Sequence, residues 1–171
     1  MRHMFLLFLL AVGAGYSLTM GAPSTLAADP CASLTPVAIN QVILKIENSL
    51  DFAQQDKGAN GQNGSFASAA KDNVVYLEQA RDKMVALQAW LKSANLESPY
   101  VTNPTGAFNV HGYVRETVGP LHHARHWATI SVTYHLSKEA KESFRLTSEA
   151  LDLIEPLGAQ AGRCYMNAFL P

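Results

Sequence analysis

The sequence lacks most of the features that announce a function. It has no Gly-rich phosphate loop, no nucleophile elbow and no carboxylate pair with an evident partner. Motif-based grounds for a nucleotide-binding protein or a hydrolase are therefore missing. Neither sign of charge is in excess: 13 Lys and Arg stand against 14 Asp and Glu, a formal net charge of −1. That leaves no electrostatic case for nucleic acid or an anionic membrane surface as partner. Only two cysteines are present, which excludes a disulfide-dense scaffold. Strand-type alternation of useful length and internal repeats are also missing, which points away from sheet and repeat architectures.

Long hydrophobic runs are scarce too. The one sustained run, residues 5–12, is far shorter than the roughly 20 residues that span a bilayer. Arg2 precedes it and the small-residue stretch Thr25-Leu26-Ala27-Ala28 follows. A charged start, an apolar middle and a small-residue end are the three parts of a secretory signal. Residues 1–28 are expected to be a signal peptide cleaved after Ala27 or Ala28, and residues 29–171 a single soluble domain, periplasmic or extracellular. Asp29 and Pro30 separate Cys31 from the small residues, which argues against lipid attachment. In an oxidising compartment paired thiols become disulfides, and two cysteines, Cys31 and Cys164, permit one intramolecular pairing.

Four helical stretches are legible. Residues 36–55 carry Ile39, Ile43, Ile46, Leu50 and Ala53 at helical spacing, with Pro36 suited to a first turn behind Thr35. The Gly- and Asn-rich residues 57–65 then predict a loop. Residues 66–94 are the clearest amphipathic helix, with Ala70, Val74, Leu77, Ala80, Met84, Leu87 and Leu91 on one side and charged residues on the other. Residues 95–120 contain Pro99, Pro104, Gly106, Gly112, Gly119 and Pro120, and predict a long loop with a short helix near 109–117. A third helix is expected over 121–135 and a fourth over 137–169, with Phe144, Thr147, Leu151 and Ile154 on one face and a kink or split at Pro156. Helices in this order suggest an all-α, up-down four-helix bundle with a long loop between helices two and three. Such a bundle would bring Cys31 and Cys164 to one end, within reach of a disulfide.

The local oddity is His122-His123-Ala124-Arg125-His126-Trp127. His122 and His126 are four residues apart and share a helix face, so both could bind one metal ion. His123 stands where the zinc-protease helix carries its catalytic Glu, which removes that chemistry. His111 is the candidate third ligand, and Zn, Cu or Ni the metals that neutral imidazole suits. The plainer readings are a solvated face for His122 and His126, and for His135 a buried ring satisfied by a hydrogen bond.

A helical wheel from Leu121 gives a small-residue face of Leu121, Ala124, Ala128, Val132 and His135. A bulkier face carries His123, Trp127, Ile130 and Tyr134. Between Thr117 and Ser137 the one fixed charge is Arg125. So apolar a helix is usually covered, by the preceding loop, a protein partner or a second copy of the chain. The bulkier face is the candidate partner surface.

The end of the chain, Gly162-Arg163-Cys164-Tyr165-Met166-Asn167-Ala168-Phe169, resembles the last helix of the exported four-helix cytochromes c′. That family attaches haem through Cys-x-x-Cys-His. Asn167 and Ala168 stand where the second Cys and the His would be, so the pattern excludes covalent haem, and the resemblance covers this short segment alone. Asn63-Gly64-Ser65 matches an N-glycosylation acceptor. Taken together, the residues suggest an exported, noncatalytic interaction or binding protein. The alternative is a metal- or cofactor-binding bundle built on the His122, His123 and His126 helix.

Overall fold

The structure is a computed structural model that describes residues 31, 34–62, 64, 66–94 and 104–167. The signal segment, Asn63, residues 95–103 and the final Ala168-Phe169 fall outside the described residues. Within them the regular structure is all helical, with no strand: α1 (Pro36–Asn60), α2 (Ala67–Ser93), α3 (Pro104–His135) and α4 (Lys138–Asn167). α1 packs on α2 and α4, and α3 packs on the same two neighbours.

The start of α1 follows the sequence closely. Thr35 is in an extended conformation and its Oγ1 accepts from the Ala38 N–H at 3.1 Å, with Pro36 in the first turn. This satisfies an N–H that the helix leaves without a partner. The other end differs from expectation. Helix continues through Lys57, Gly58 and Ala59 to Asn60, and the Gly61 N–H closes it on Lys57 O at 2.8 Å. Gly58 costs about 1 kcal/mol of helix propensity. Asn60 Nδ2 offsets this by donating to Asp56 Oδ1, one turn back, at 2.8 Å.

The third helix is the main correction. The long irregular connection read over residues 95–120 does not extend past Pro104, because α3 runs unbroken from there to His135 with Pro120 inside it. Its buried residues explain the continuity. Ala107, Val110, Val114, Thr117, Leu121, Ala124, Ala128 and Ser131 are all buried, in alternating steps of three and four. One core-facing seam therefore spans the glycines and the proline. Pro120 forgoes the bond to the Glu116 carbonyl, at a cost of about 3 kcal/mol. Glu116 lies on the solvent side, where water can take up that carbonyl.

Helix α4 is likewise unbroken across the exposed Pro156, so the expected split does not occur. Its buried positions include Ser143, Thr147, Leu151 and Ile154, whereas Phe144, placed on the same face by the sequence, is 37% exposed. Ser137 caps the helix: its Oγ accepts from the Ala140 N–H at 3.0 Å. Between α3 and α4 the chain turns at Leu136, whose φ of 54° is the left-handed conformation that side chains avoid.

A Cys31–Cys164 disulfide joins the approach to α1 to the last turns of α4, with Cα atoms 5.0 Å apart. Around it the core is aliphatic, with Leu34, Ala161, Leu157 and Cys164 buried. No helix among the described residues is long and apolar enough to cross a membrane.

Candidate functional site

The histidines singled out by the sequence separate onto different neighbours. His122 Nε2 lies 3.1 Å from Glu155 Oε1 of α4, and its Nδ1 is 3.3 Å from the Arg125 guanidinium. His126 is exposed and sets its ring edge-on to Trp127, with centroids 5.4 Å apart. His111 points at the α4 backbone, with Nδ1 3.3 Å from Gly158 O. It lines a shallow hollow of about 250 Å³ with Val114, Arg115, Val118 and Glu155. No group of three or more His, Cys, Asp or Glu among the described residues could hold a metal ion. His111, His122 and His126 are thus not gathered into one ligand set. His122 already has a partner near each ring nitrogen.

The bulkier face of α3 is turned toward α2. His123 stacks on Tyr76 with centroids 4.8 Å apart, and Tyr134 stacks on Phe66 at 3.5 Å. Trp127 and Ile130 lie between these two pairs along the helix and are half-buried. The cover is partial: Tyr134 stays 55% exposed and Phe66 37%. The result is an aromatic seam along two helices, with ring faces and edges open to solvent.

No protein-family model, curated protein or solved structure matches the chain.

A buried carboxylate with three hydrogen bonds is one that sequence reasoning passed over. Asp56 of α1 has 0% exposure. Its Oδ2 accepts from Ser131 Oγ of α3 at 2.6 Å. Its Oδ1 accepts from Ser137 Oγ, the α4 cap, at 2.7 Å and from Asn60 Nδ2. His135 Nδ1 lies 2.8 Å from Ser131 Oγ and 3.6 Å from Asp56 Oδ2. Ser131 gives its one proton to the carboxylate, so Nδ1–H of His135 is the donor in the short contact. His135 is hydrogen-bonded, as expected, but only partly buried, with 11% of its side chain exposed. Burial pushes the Asp56 carboxyl up, but the hydrogen bonds from Ser131, Ser137 and Asn60, with His135 nearby, outweigh it and hold the group below the ordinary carboxylate range.

Ser, His and Asp are the residue types of a hydrolytic triad, but the order is wrong for that chemistry. A nucleophilic serine gives its proton to histidine, and the acid orients the histidine. Here the serine stands between the two, donates to the acid, and is itself fully buried.

A second polar layer lies one to two turns away. Ser49 Oγ of α1 is 2.9 Å from Ser143 O and 2.8 Å from Thr147 Oγ1 on α4. Asn73 Nδ2 of α2 donates to Ser143 Oγ at 3.0 Å, while its Oδ1 is buried without a hydrogen-bond partner. The signal for both layers was available in the helix period. Ser49 and Asp56 fall three residues after Ile46 and Ala53, on the stripe that defines the core face of α1.

Proposed function

We propose that this chain is an exported binding protein, an up-down four-helix bundle that works by docking a protein through the aromatic seam of α2 and α3 rather than by catalysis. The carrying observation is the half-covered stripe of Phe66, Tyr134, Ile130, Trp127, His123 and Tyr76. Rigid aromatic rings that offer both an apolar face and a polar edge are enriched at protein interfaces. The only fixed charge among residues 118–136 of α3 and its turn is Arg125, and charge depletion is the other compositional mark of an interface core.

The topology is supported by the pairs that cross between helices. Asn40 meets Gln88, Lys83 meets Glu116, His122 meets Glu155 and Lys45 meets Glu149. Export is supported by the tripartite segment over residues 1–28 and by the disulfide, which suits a periplasmic or extracellular location for residues 29–171.

The test places a photo-crosslinking residue at Tyr134 and, as control, at Leu44 of α1, which is also 55% exposed. The full chain is expressed with its own leader. Crosslinks to a defined protein, or to a second copy, at Tyr134 but not at Leu44 are expected, and Trp127→Ala should weaken them. Equal labelling at both positions would overturn the docking reading. A full-length chain retained in the cytoplasm would overturn export. Mass analysis of the exported chain is expected to show a start at Ala28 or Asp29.

A further inference from the structure

We propose that Asp56 is an acid-released latch: its carboxylate clasps the α3–α4 turn to α1, and protonating it frees that end of the bundle while the disulfide end stays closed. This goes beyond the docking reading and does not depend on it.

Three observations converge. The first is connectivity. One buried carboxylate accepts from Ser131 near the end of α3, from Ser137 at the start of α4, and from Asn60 at the end of α1. These bonds tie three helix termini to a single group. The second is the turn itself. Leu136 sits between the two clasped serines with a φ of 54° and 70% exposure. A leucine held in the left-handed region relaxes when its surroundings let go, and this one contributes little burial to hold the turn shut. The third is polarity. Ser49, Asp56, Asn73, Ser131, Ser143 and Thr147 are buried at this end. A core of hydroxyl and amide groups can be hydrated on opening at less cost than an aliphatic one. The opposite end has the disulfide and the aliphatic core around it.

The direction with pH follows from the groups that face the carboxylate. α1 supplies Asn60, α3 supplies Ser131 and His135, and α4 supplies Ser137; none of the groups acting on it comes from α2. Of these only His135 titrates, and a positive His135 beside the carboxylate would tighten the clasp. Release therefore waits for the carboxylate itself. Its proton affinity is lowered in the folded protein, so the stabilisation is complete above the ordinary aspartate range. It fades as pH falls through the lower, folded-state value. A protonated Asp56 is neutral and retains at most the acceptor capacity of an uncharged acid, so the charge-assisted bonds are lost.

The test is hydrogen exchange followed by mass spectrometry on the oxidised chain from neutral pH to below the aspartate range, with protection corrected for intrinsic rates. Protection in residues 129–143 is expected to fall by roughly tenfold or more in acid. Residues 36–46 and 154–164 should hold theirs at the same pH. Asp56→Asn should show the open pattern already at neutral pH. If that variant does not fold, Asn60→Ala serves: it removes one donor, leaves the Ser137 cap, and should move release to higher pH. Loss of protection in all helices together, or a release midpoint unmoved by Asn60→Ala, would overturn the latch.

Discussion

Asp56 shows how much one side chain can control when its partners come from different helices. Truncation to alanine would leave the Ser131 and Ser137 hydroxyls without their acceptor, next to a small void. Leaving buried polar groups unsatisfied costs about 1–3 kcal/mol each. Asp56→Ala is expected to lower unfolding stability at neutral pH by about 2–4 kcal/mol, read from urea midpoints. A loss no larger than that of an exposed control such as Asp51→Ala would mean that the network adds nothing. His122 is expected to behave in the opposite way. With Glu155 at one ring nitrogen and Arg125 at the other, it is poorly placed to recruit a third ligand. Calorimetric titration of the untagged protein with Zn²⁺ should give only weak binding that His111→Ala leaves unchanged. A tight site lost in the His122→Ala, His126→Ala double variant would restore the metal-binding reading.

At the scale of the helix, two glycines inside helices make opposite demands. A Cβ on Gly158 of α4 would meet Val114 Cγ1 of α3 at 2.8 Å, whereas one on Gly112 of α3 would meet nothing within 4 Å. Gly112→Ala should therefore stabilise the protein by up to about 1 kcal/mol through helix propensity. Gly158→Ala gains the same propensity, but it drives a methyl into a buried, β-branched neighbour that has little room to turn. Overpacking costs about 1–3 kcal/mol, so the net effect should be destabilising, and Val114→Ala in the same chain should reverse its sign. Thermal midpoints of the four proteins decide the matter: stabilisation by Gly158→Ala alone would mean that α3 and α4 are not closely seated there. The same contrast explains what the sequence disclosed about the elements. The stripes of α1 and α2 were legible because aliphatic residues mark nearly every buried turn. The first half of α3 was legible only as the short helix expected near 109–117, not as part of one long helix. Its seam is built from Ala107, Val110, Val114 and Thr117, and three glycines and two prolines nearby carry strong local signals for a loop. Packing along a continuous seam outweighed those local preferences. At Gly58 and Pro156 it did so again.

The whole molecule is a bundle with unlike ends, and this was only half visible beforehand. The pairing of Cys31 with Cys164 followed from two cysteines at opposite ends of a helical chain. The polar end did not, because Ser49, Asp56 and Ser131 look like ordinary surface residues until their register on the core stripes is counted. The last prediction rests on this asymmetry. The disulfide closes a sequence separation of 133 residues, which in the chain-entropy model corresponds to about 5 kcal/mol, with measured values more often about 2–4. The link lies between helix ends rather than within the packing, so reduction should leave the helices assembled at neutral pH. Far-ultraviolet circular dichroism should be unchanged by a phosphine reductant, while the urea midpoint falls by an amount equivalent to a few kcal/mol. Acid should then separate the two forms. In the oxidised chain, opening stays at the Asp56 end because the other end is covalently shut. In the reduced chain that restraint is gone, so the same fall in pH should cost helicity throughout. If reduction shifts neither the urea midpoint nor the extent of acid unfolding, the disulfide is not what holds the second end closed, and the aliphatic core around Leu34, Leu157 and Ala161 suffices by itself.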